Sequence, residues 1–253
     1  GSGGVLAFLR SREGKSGSSR DYLRPGGRAS SRGPGFRAFR AAALKEYPNA
    51  KKVVLPPPGP CGDLSAGDAI QRRRSHRAFA TRPLTQQELS NLLHYAGGVT
   101  APQMGTHGFR AAPSAGALYP IEIYPVVRQV QGLAPGLYHY HVLDHSLELV
   151  TPGDFAEQLA DACLGQGWMA RAGVALALTA VFERTTAKYG ERGHRYVLLD
   201  CGHVSENIYL AATAMGLGAC AVGAFSDDEV NALLGIDGEQ ESALLVLPVG
   251  PLP

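Results

Sequence analysis

At 253 residues, 45% of them hydrophobic, the chain can bury one full core, and one mixed domain with a tail is the expected organisation. The net charge of +2 conceals an asymmetry, because residues 1–60 hold 12 Lys and Arg against 3 acids and the remainder holds 12 against 19. Nucleic-acid binding is not indicated, since the basic residues lack supporting aromatic interleaving; a membrane span is not indicated either, since no apolar run reaches the roughly 18 to 20 residues required. Cys61, Cys163, Cys201 and Cys220 form no CxxC pair and no zinc pattern, which points to reduced thiols, a cytoplasmic setting and no metal.

In chain order, residues 1–35 are rich in Gly, Ser and Arg with few apolar anchors and read as a flexible basic tail; the opening GSGG lacks the apolar region of an export signal. Residues 36–253 are expected to form a single domain. A short helix is predicted from Phe36 to Tyr47, stopped by Pro48, and VVLPPPGP follows as an extended connector. Another helix spans Asp68 to Arg74. Thr85 and Glu88 form a capping-box pattern ahead of Leu89, Leu92 and Leu93, so a helix runs to about Ala96, where Gly97 and Gly98 end it. A polar loop is expected from Thr100 to Ala112.

Ile121–Val127, Leu137–Val142 and Leu147–Val150 have strand composition, Phe155–Leu164 has a helical pattern, and Gly173–Phe182 reads as a buried strand. Val197–Met215 is the longest helix candidate, apolar over most of its girth and so expected in the core. Ala219–Ala224 and Ala243–Val249 are predicted strands around a helix at Asp227–Leu234. Helices and antiparallel-looking strands without a βαβ repeat indicate an α+β fold.

Four stretches have the composition of a binding site. In RRRSHR, an extended chain sends Arg73, Ser75 and Arg77 to one side and Arg74 and His76 to the other, giving a hydroxyl between two guanidinium forks that match a phosphate; a solvated basic turn has the same composition. In PSAGALYP, Ala115 and Gly116 leave main-chain groups bare beside Ser114, suiting either a flat ligand or a tight turn before a strand. GLGACAVGAF is not a dinucleotide loop, because the GxGxxG register fails at Ala221 and the segment follows a helix. In KYGERGHRY, Lys188 and Tyr189 become useful bases only where burial or cations such as Arg184 or Arg192 lower them from their ordinary values near 10.

Taken in order, RRSHRAF, PSAGALYPIEIY, KYGERGHRYVLLDCGHVSEN and LAATAMGLGACAVGAF resemble the nitroreductase superfamily, and more closely its SagB-type dehydrogenases. The resemblance covers about Phe36 to Val249. It implies an FMN enzyme with a mainly antiparallel central sheet packed by helices, forming a homodimer with flavin sites at the subunit interface. Arg73, Arg74, Ser75 and Arg77 would hold the phosphate and ribityl chain. Pro113, Ser114, Ala115, Gly116 and Leu118 would line the isoalloxazine from the other subunit, and Val222, Gly223 and Ala224 would approach its pyrimidine and N5 side. The branch oxidises peptide thiazolines and oxazolines to thiazoles and oxazoles in natural-product biosynthesis, with a Lys-Tyr pair that Lys188 and Tyr189 match, so either is a candidate base. Partners implied are a peptide substrate and a cyclodehydratase complex.

Two features depart from the superfamily pattern. Glu206 and Asn207 stand where many members have Gln-Asn, and PVGPLP offers no basic residue for the phosphate, which throws more weight on Arg73–Arg77. Rival readings are an NAD(P)H-dependent nitro or quinone reductase, an oxidase of carrier-bound or dipeptide substrates in a nonribosomal pathway, and a scaffold that has lost FMN.

Overall fold

The computed structural model describes residues 44–101 and 108–253. Its strands are β1 (Lys51–Val54), β2 (Val99–Ala101), β3 (Phe109–Arg110), β4 (Ile121–Val127), β5 (Gly136–His141), β6 (Ser146–Pro152), β7 (Val174–Val181), β8 (Leu217–Ala219) and β9 (Glu241–Pro251). Its helices are α1 (Ala66–Arg72), α2 (Gln86–Gly97), α3 (Ala156–Ala162), α4 (Glu183–Tyr189), α5 (Arg192–Ala214) and α6 (Asp227–Leu234). Seven strands make one antiparallel sheet in the order β1-β6-β5-β4-β7-β9-β8, while β2 and β3 form a separate ribbon.

The central strands β4 and β7 are apolar along their length, Glu122 and Thr179 excepted, because both sheet faces are covered. Alternation sorts their side chains. Ile121, Ile123 and Val127 of β4, with Val174, Leu176, Leu178 and Ala180 of β7, join the core beneath α2 and α5. Tyr124, Val126, Ala175 and Ala177 face the second core, which α3 and α6 cover. The capping box at Thr85 and Glu88 closes the start of α2. Asn207 Nδ2 of α5 donates to the Tyr95 carbonyl of α2 at 3.0 Å, so this residue ties two helices together.

Several expectations need correction. Residues 36–43 of the helix expected from Phe36 to Tyr47 lie outside the described residues, as does the tail at 1–35, and residues 44–47 are not helical. The expected connector supplies β1, because Lys51–Val54 pairs with β6 before the prolines begin. The expected loop at Thr100–Ala112 carries β2 and β3, with residues 102–107 outside the description. The strand expected at Ala219–Ala224 is confined to Leu217–Ala219, followed by one bridge from Val222 to Val246. Helix α5 is also not buried all round: Leu198 and Leu199 are 43% and 54% exposed.

Candidate active site

The sequence stretches singled out above gather into two groups, both braced against α5. The first lies at the sheet edge. Arg73 caps α1 in an extended conformation, and the chain then runs beside β8, with Ser75 bridging Ala219 and His76 N donating to the Ala219 carbonyl at 2.9 Å. Tyr209 of α5 pins this arrangement: its hydroxyl lies 3.0 Å from Ser75 Oγ and accepts from Ala221 N at 2.6 Å. Thus RRRSHR and GLGACAVGAF, far apart in sequence, are joined by a bridge and one tyrosine.

The arginines here are not equivalent. Arg74 Nη1 donates to the carbonyls of Gln71 (3.0 Å) and Arg73 (2.8 Å), closing the C-terminal end of α1. Arg73 lies 5.2 Å over the Tyr209 ring and Arg77 5.9 Å over the Trp168 ring, and neither guanidinium donates a hydrogen bond among the described residues. A guanidinium carries five donors, so both keep their forks available beside the exposed Ser75. Gly223 and Ala224 are exposed as well, whereas Val222 is buried and exchanges both main-chain bonds with Val246. A Cβ built at Gly223 would come no closer than 3.7 Å to Leu245 Cδ1, so the protein itself does not demand glycine there.

The second group surrounds PSAGALYP. Ser114 Oγ donates to Asp200 Oδ2 at 2.6 Å and accepts from Tyr119 N at 2.9 Å, while Ala115 N reaches Asp200 Oδ1 at 3.4 Å. Within this clasp the backbone takes positive φ at Gly116 (65°), Ala117 (53°) and Tyr119 (46°), a conformation that costs a non-glycine residue energy and persists because neighbours enforce it. Pro113, Gly116 and Ala117 are exposed; Leu118 is half-buried. The loop presses on the Lys-Tyr pair. A Cβ added at Gly116 would stand 2.6 Å from Tyr189 Oη and 2.8 Å from Lys188 Nζ.

Lys188 is exposed at the end of α4, and Tyr189 packs edge-on against Tyr196 at 5.0 Å. Arg184, expected beside the pair, turns inward instead: its Nη1 lies 2.5 Å from Glu122 Oε1 and donates to the Tyr119 carbonyl at 3.1 Å. Glu122 also meets His139 Nε2 at 3.0 Å, and His139 Nδ1 meets Glu148 at 2.9 Å. Burial alone would raise the Glu122 carboxyl, but the His139 hydrogen bond and the Arg184 charge outweigh it and hold it down at about 2. Burial also pushes the Asp200 carboxyl up, against its bonds to Ser114 and Ala115.

Behind the loop lies a small cavity of about 30 Å³, lined in part by Arg110, Ser114, Glu122, Tyr140 and Asp200. A flat ring system needs a site of roughly 300 Å³ or more. The cavity behind the loop is too small for one. Among the described residues, no cluster of three or more His, Cys, Asp or Glu could hold a metal ion, and no helix is long and apolar enough to cross a membrane.

The nitroreductase family model matches residues 70–251. The chain belongs to the nitroreductase family. It is 44% identical over 74% of its length to a nitroreductase relative from Methanocaldococcus jannaschii, 91% of which it covers. It is 35% identical over 60% of its length to a trifolitoxin-processing protein of Rhizobium leguminosarum bv. trifolii, but spans only 43% of that protein. Its fold matches a chain of the Escherichia coli microcin synthetase complex with truncated pro-MccB17 bound, with a TM-score of 0.65 at 23% identity over 98% of this chain and 93% of the other.

Members of the nitroreductase family are oxidoreductases. Asp200, Tyr209 and Trp168, absent from the sequence-based site, are now part of it. Tyr209 was hidden because a tyrosine inside an apolar helix reads as core, and Asp200 because one acid in a long helix carries no motif.

Proposed function

We propose that this nitroreductase-family chain is an FMN-dependent dehydrogenase of the SagB type, oxidising thiazoline or oxazoline rings in a peptide to thiazole or oxazole. The observation that carries this reading is the contact of the bare Gly116 with Lys188 and Tyr189, which sets the two candidate bases directly against the loop expected to line a flat ring. The trifolitoxin-processing relative supports a peptide as substrate. The resemblance to SagB-type dehydrogenases further implies a cyclodehydratase partner that forms the ring this enzyme oxidises.

The residues suit the cofactor. Arg73 and Arg77 hold the phosphate through uncommitted donors beside Ser75, and the exposed Gly116 and Gly223–Ala224 approach the ring with little side chain of their own. Arg74 contributes by fixing the end of α1. Bound FMN would supply the hydride acceptor, to be reoxidised later by oxygen. Lys188 or Tyr189 takes the proton from the neighbouring ring carbon, and the loop keeps that base beside the substrate.

We also propose a homodimer. Asp200 and Tyr209 lie nine residues apart on α5, about 14 Å along its axis at 1.5 Å per residue, so one chain sets its loop and its arginine grip at different heights. The exposed Leu198 and Leu199 of the same helix offer an apolar surface through which the loop of one subunit meets the grip of its partner.

Anaerobic mixing with an azoline-containing peptide tests the activity. Flavin absorbance should bleach in the wild-type protein, and Lys188→Ala or Tyr189→Phe should slow bleaching by about 10²- to 10⁴-fold with flavin content unchanged. Fast bleaching by NADPH together with no response to the peptide would replace this reading with the nitro or quinone reductase.

A further inference from the structure

The clasp at Asp200 has a consequence beyond the proposed activity. Asp200 is 4% exposed on α5, between the exposed Leu199 and the buried Cys201. Its two oxygens take both polar hydrogens that the start of the loop offers, Ser114 Oγ–H and Ala115 N–H. With its O–H donated to Asp200, Ser114 Oγ has its lone pairs free to accept from Tyr119 N. One carboxylate therefore fixes both ends of the 114–119 segment, and the Ala117 N bond to the Ser114 carbonyl at 3.0 Å closes the turn between them.

That segment holds three residues at positive φ, two of them not glycine, a strained state at each non-glycine position. The geometry would relax without an anchor. What it achieves is placement: Gly116 lies against the pair, where a Cβ would come within 2.6 Å of Tyr189 Oη and 2.8 Å of Lys188 Nζ.

We propose that Asp200 is a positioning residue of the active site, acting through Ser114 to hold the Ser114–Tyr119 loop against Lys188 and Tyr189. This rests on the reading of that pair as the proton-accepting site. Asp200 makes no hydrogen bond to Lys188 or Tyr189; its bonds go to Ser114 and Ala115. Its effect is carried by the loop backbone. The carboxylate is specific for the task, because an amide can accept from Ser114 or from Ala115 but presents a donor to the other.

Two arms test the assignment on flavin-loaded protein. In the first, hydrogen exchange of the 113–120 segment is followed without substrate in wild type, Asp200→Ala, Ser114→Ala and the double variant. Exchange should rise at least tenfold in each single variant and no further in the double, since the two residues form one clasp. In the second, flavin reduction by an azoline peptide should fall 10- to 100-fold in maximal rate for Asp200→Ala with the half-saturating concentration changed less than threefold, and Asp200→Asn should recover part of the loss. Adding Asp200→Ala to Lys188→Ala should cost nothing more.

Unchanged exchange in Asp200→Ala overturns the proposal, as does raised exchange with an unaltered maximal rate, or a full additional loss on top of Lys188→Ala. If wild type does not respond to any azoline, the activity reading falls, and the positioning assignment is decided by the exchange arm alone. Should Asp200→Ala not fold, Ser114→Ala and Asp200→Asn carry the same comparison.

Discussion

The arginine side of the site keeps its charges outside, whereas the loop side is backed by charges folded within. Arg73 and Arg77 lie over aromatic rings with their hydrogen-bond donors unspent, on a segment held by one β-bridge and the Tyr209 hydroxyl. The loop at Ser114–Tyr119 is braced by Asp200 on one flank, and on the other by Arg184, whose partner Glu122 belongs to a buried series with His139 and Glu148. A surface that must hold an anion benefits from donors that folding has not used. A loop that must hold a strained shape benefits from partners that are fully used. The difference predicts that substitutions on the arginine side cost ligand affinity, and those behind the loop cost stability.

The largest effect should come from Glu122→Gln. It leaves Arg184 and His139 buried with one neutral amide between them, and breaking a buried ion pair from one side costs about 3–5 kcal/mol. The urea midpoint should fall by about 1–2 M. The pH dependence follows from the depressed carboxyl: its folded value of about 2 lies below the ordinary carboxylate value, so its contribution is complete above about pH 4.5 and is lost as pH falls towards 2. Denaturation midpoints measured between pH 5 and pH 2.5 should decline in wild type and flatten in Glu122→Gln. Equal slopes would remove Glu122 from the support of the loop.

That buried series also marks the limit of what the sequence disclosed. β4 was legible to the residue, because IEIYPVV is apolar at every position but Glu122 and flanked by Pro120 and Arg128; so was α6, which begins in an acidic first turn and stops at Gly235 in a left-handed conformation. The capping box of α2 was equally plain. The early start of α5 was not, since RGHRY shows no apolar period, and α4 was missed because ERTTAKY is short and polar. For the site, short range was readable and long range was not. Bare backbone at Gly116 and clustered arginines are local signals, but the inward turn of Arg184, 62 residues beyond Glu122, depends on the pairing of β4 with β7.

Next in size is Arg77→Ala, on the other side of the comparison. Charge-assisted hydrogen bonds contribute about 1.5–3 kcal/mol, which is roughly 10- to 150-fold in FMN affinity. The variant should purify largely colourless and melt within about 2 °C of the apo wild type, since its guanidinium stands outside. A fully yellow, stoichiometrically loaded Arg77→Ala would take the phosphate away from this segment. A large drop in apo stability would instead show that the arginine side, like the loop side, is spent on the fold.

Tyr209→Phe should have the smallest effect and separates the two components of the arginine side. It keeps the ring beneath Arg73 at 5.2 Å and deletes only the hydroxyl shared by Ser75 and Ala221. The net loss of such hydrogen bonds is about 1 kcal/mol, so FMN affinity measured by fluorescence quenching should weaken about fivefold. Ser75 would still bridge Ala219, and His76 N would still donate to the same carbonyl, so the segments should stay together. If the loss instead equals that of Arg77→Ala, the hydroxyl governs where Ser75 presents its own donor. If affinity does not change at all, the backbone bridge alone holds the grip, and the arginine side is positioned by its sheet edge and not by α5.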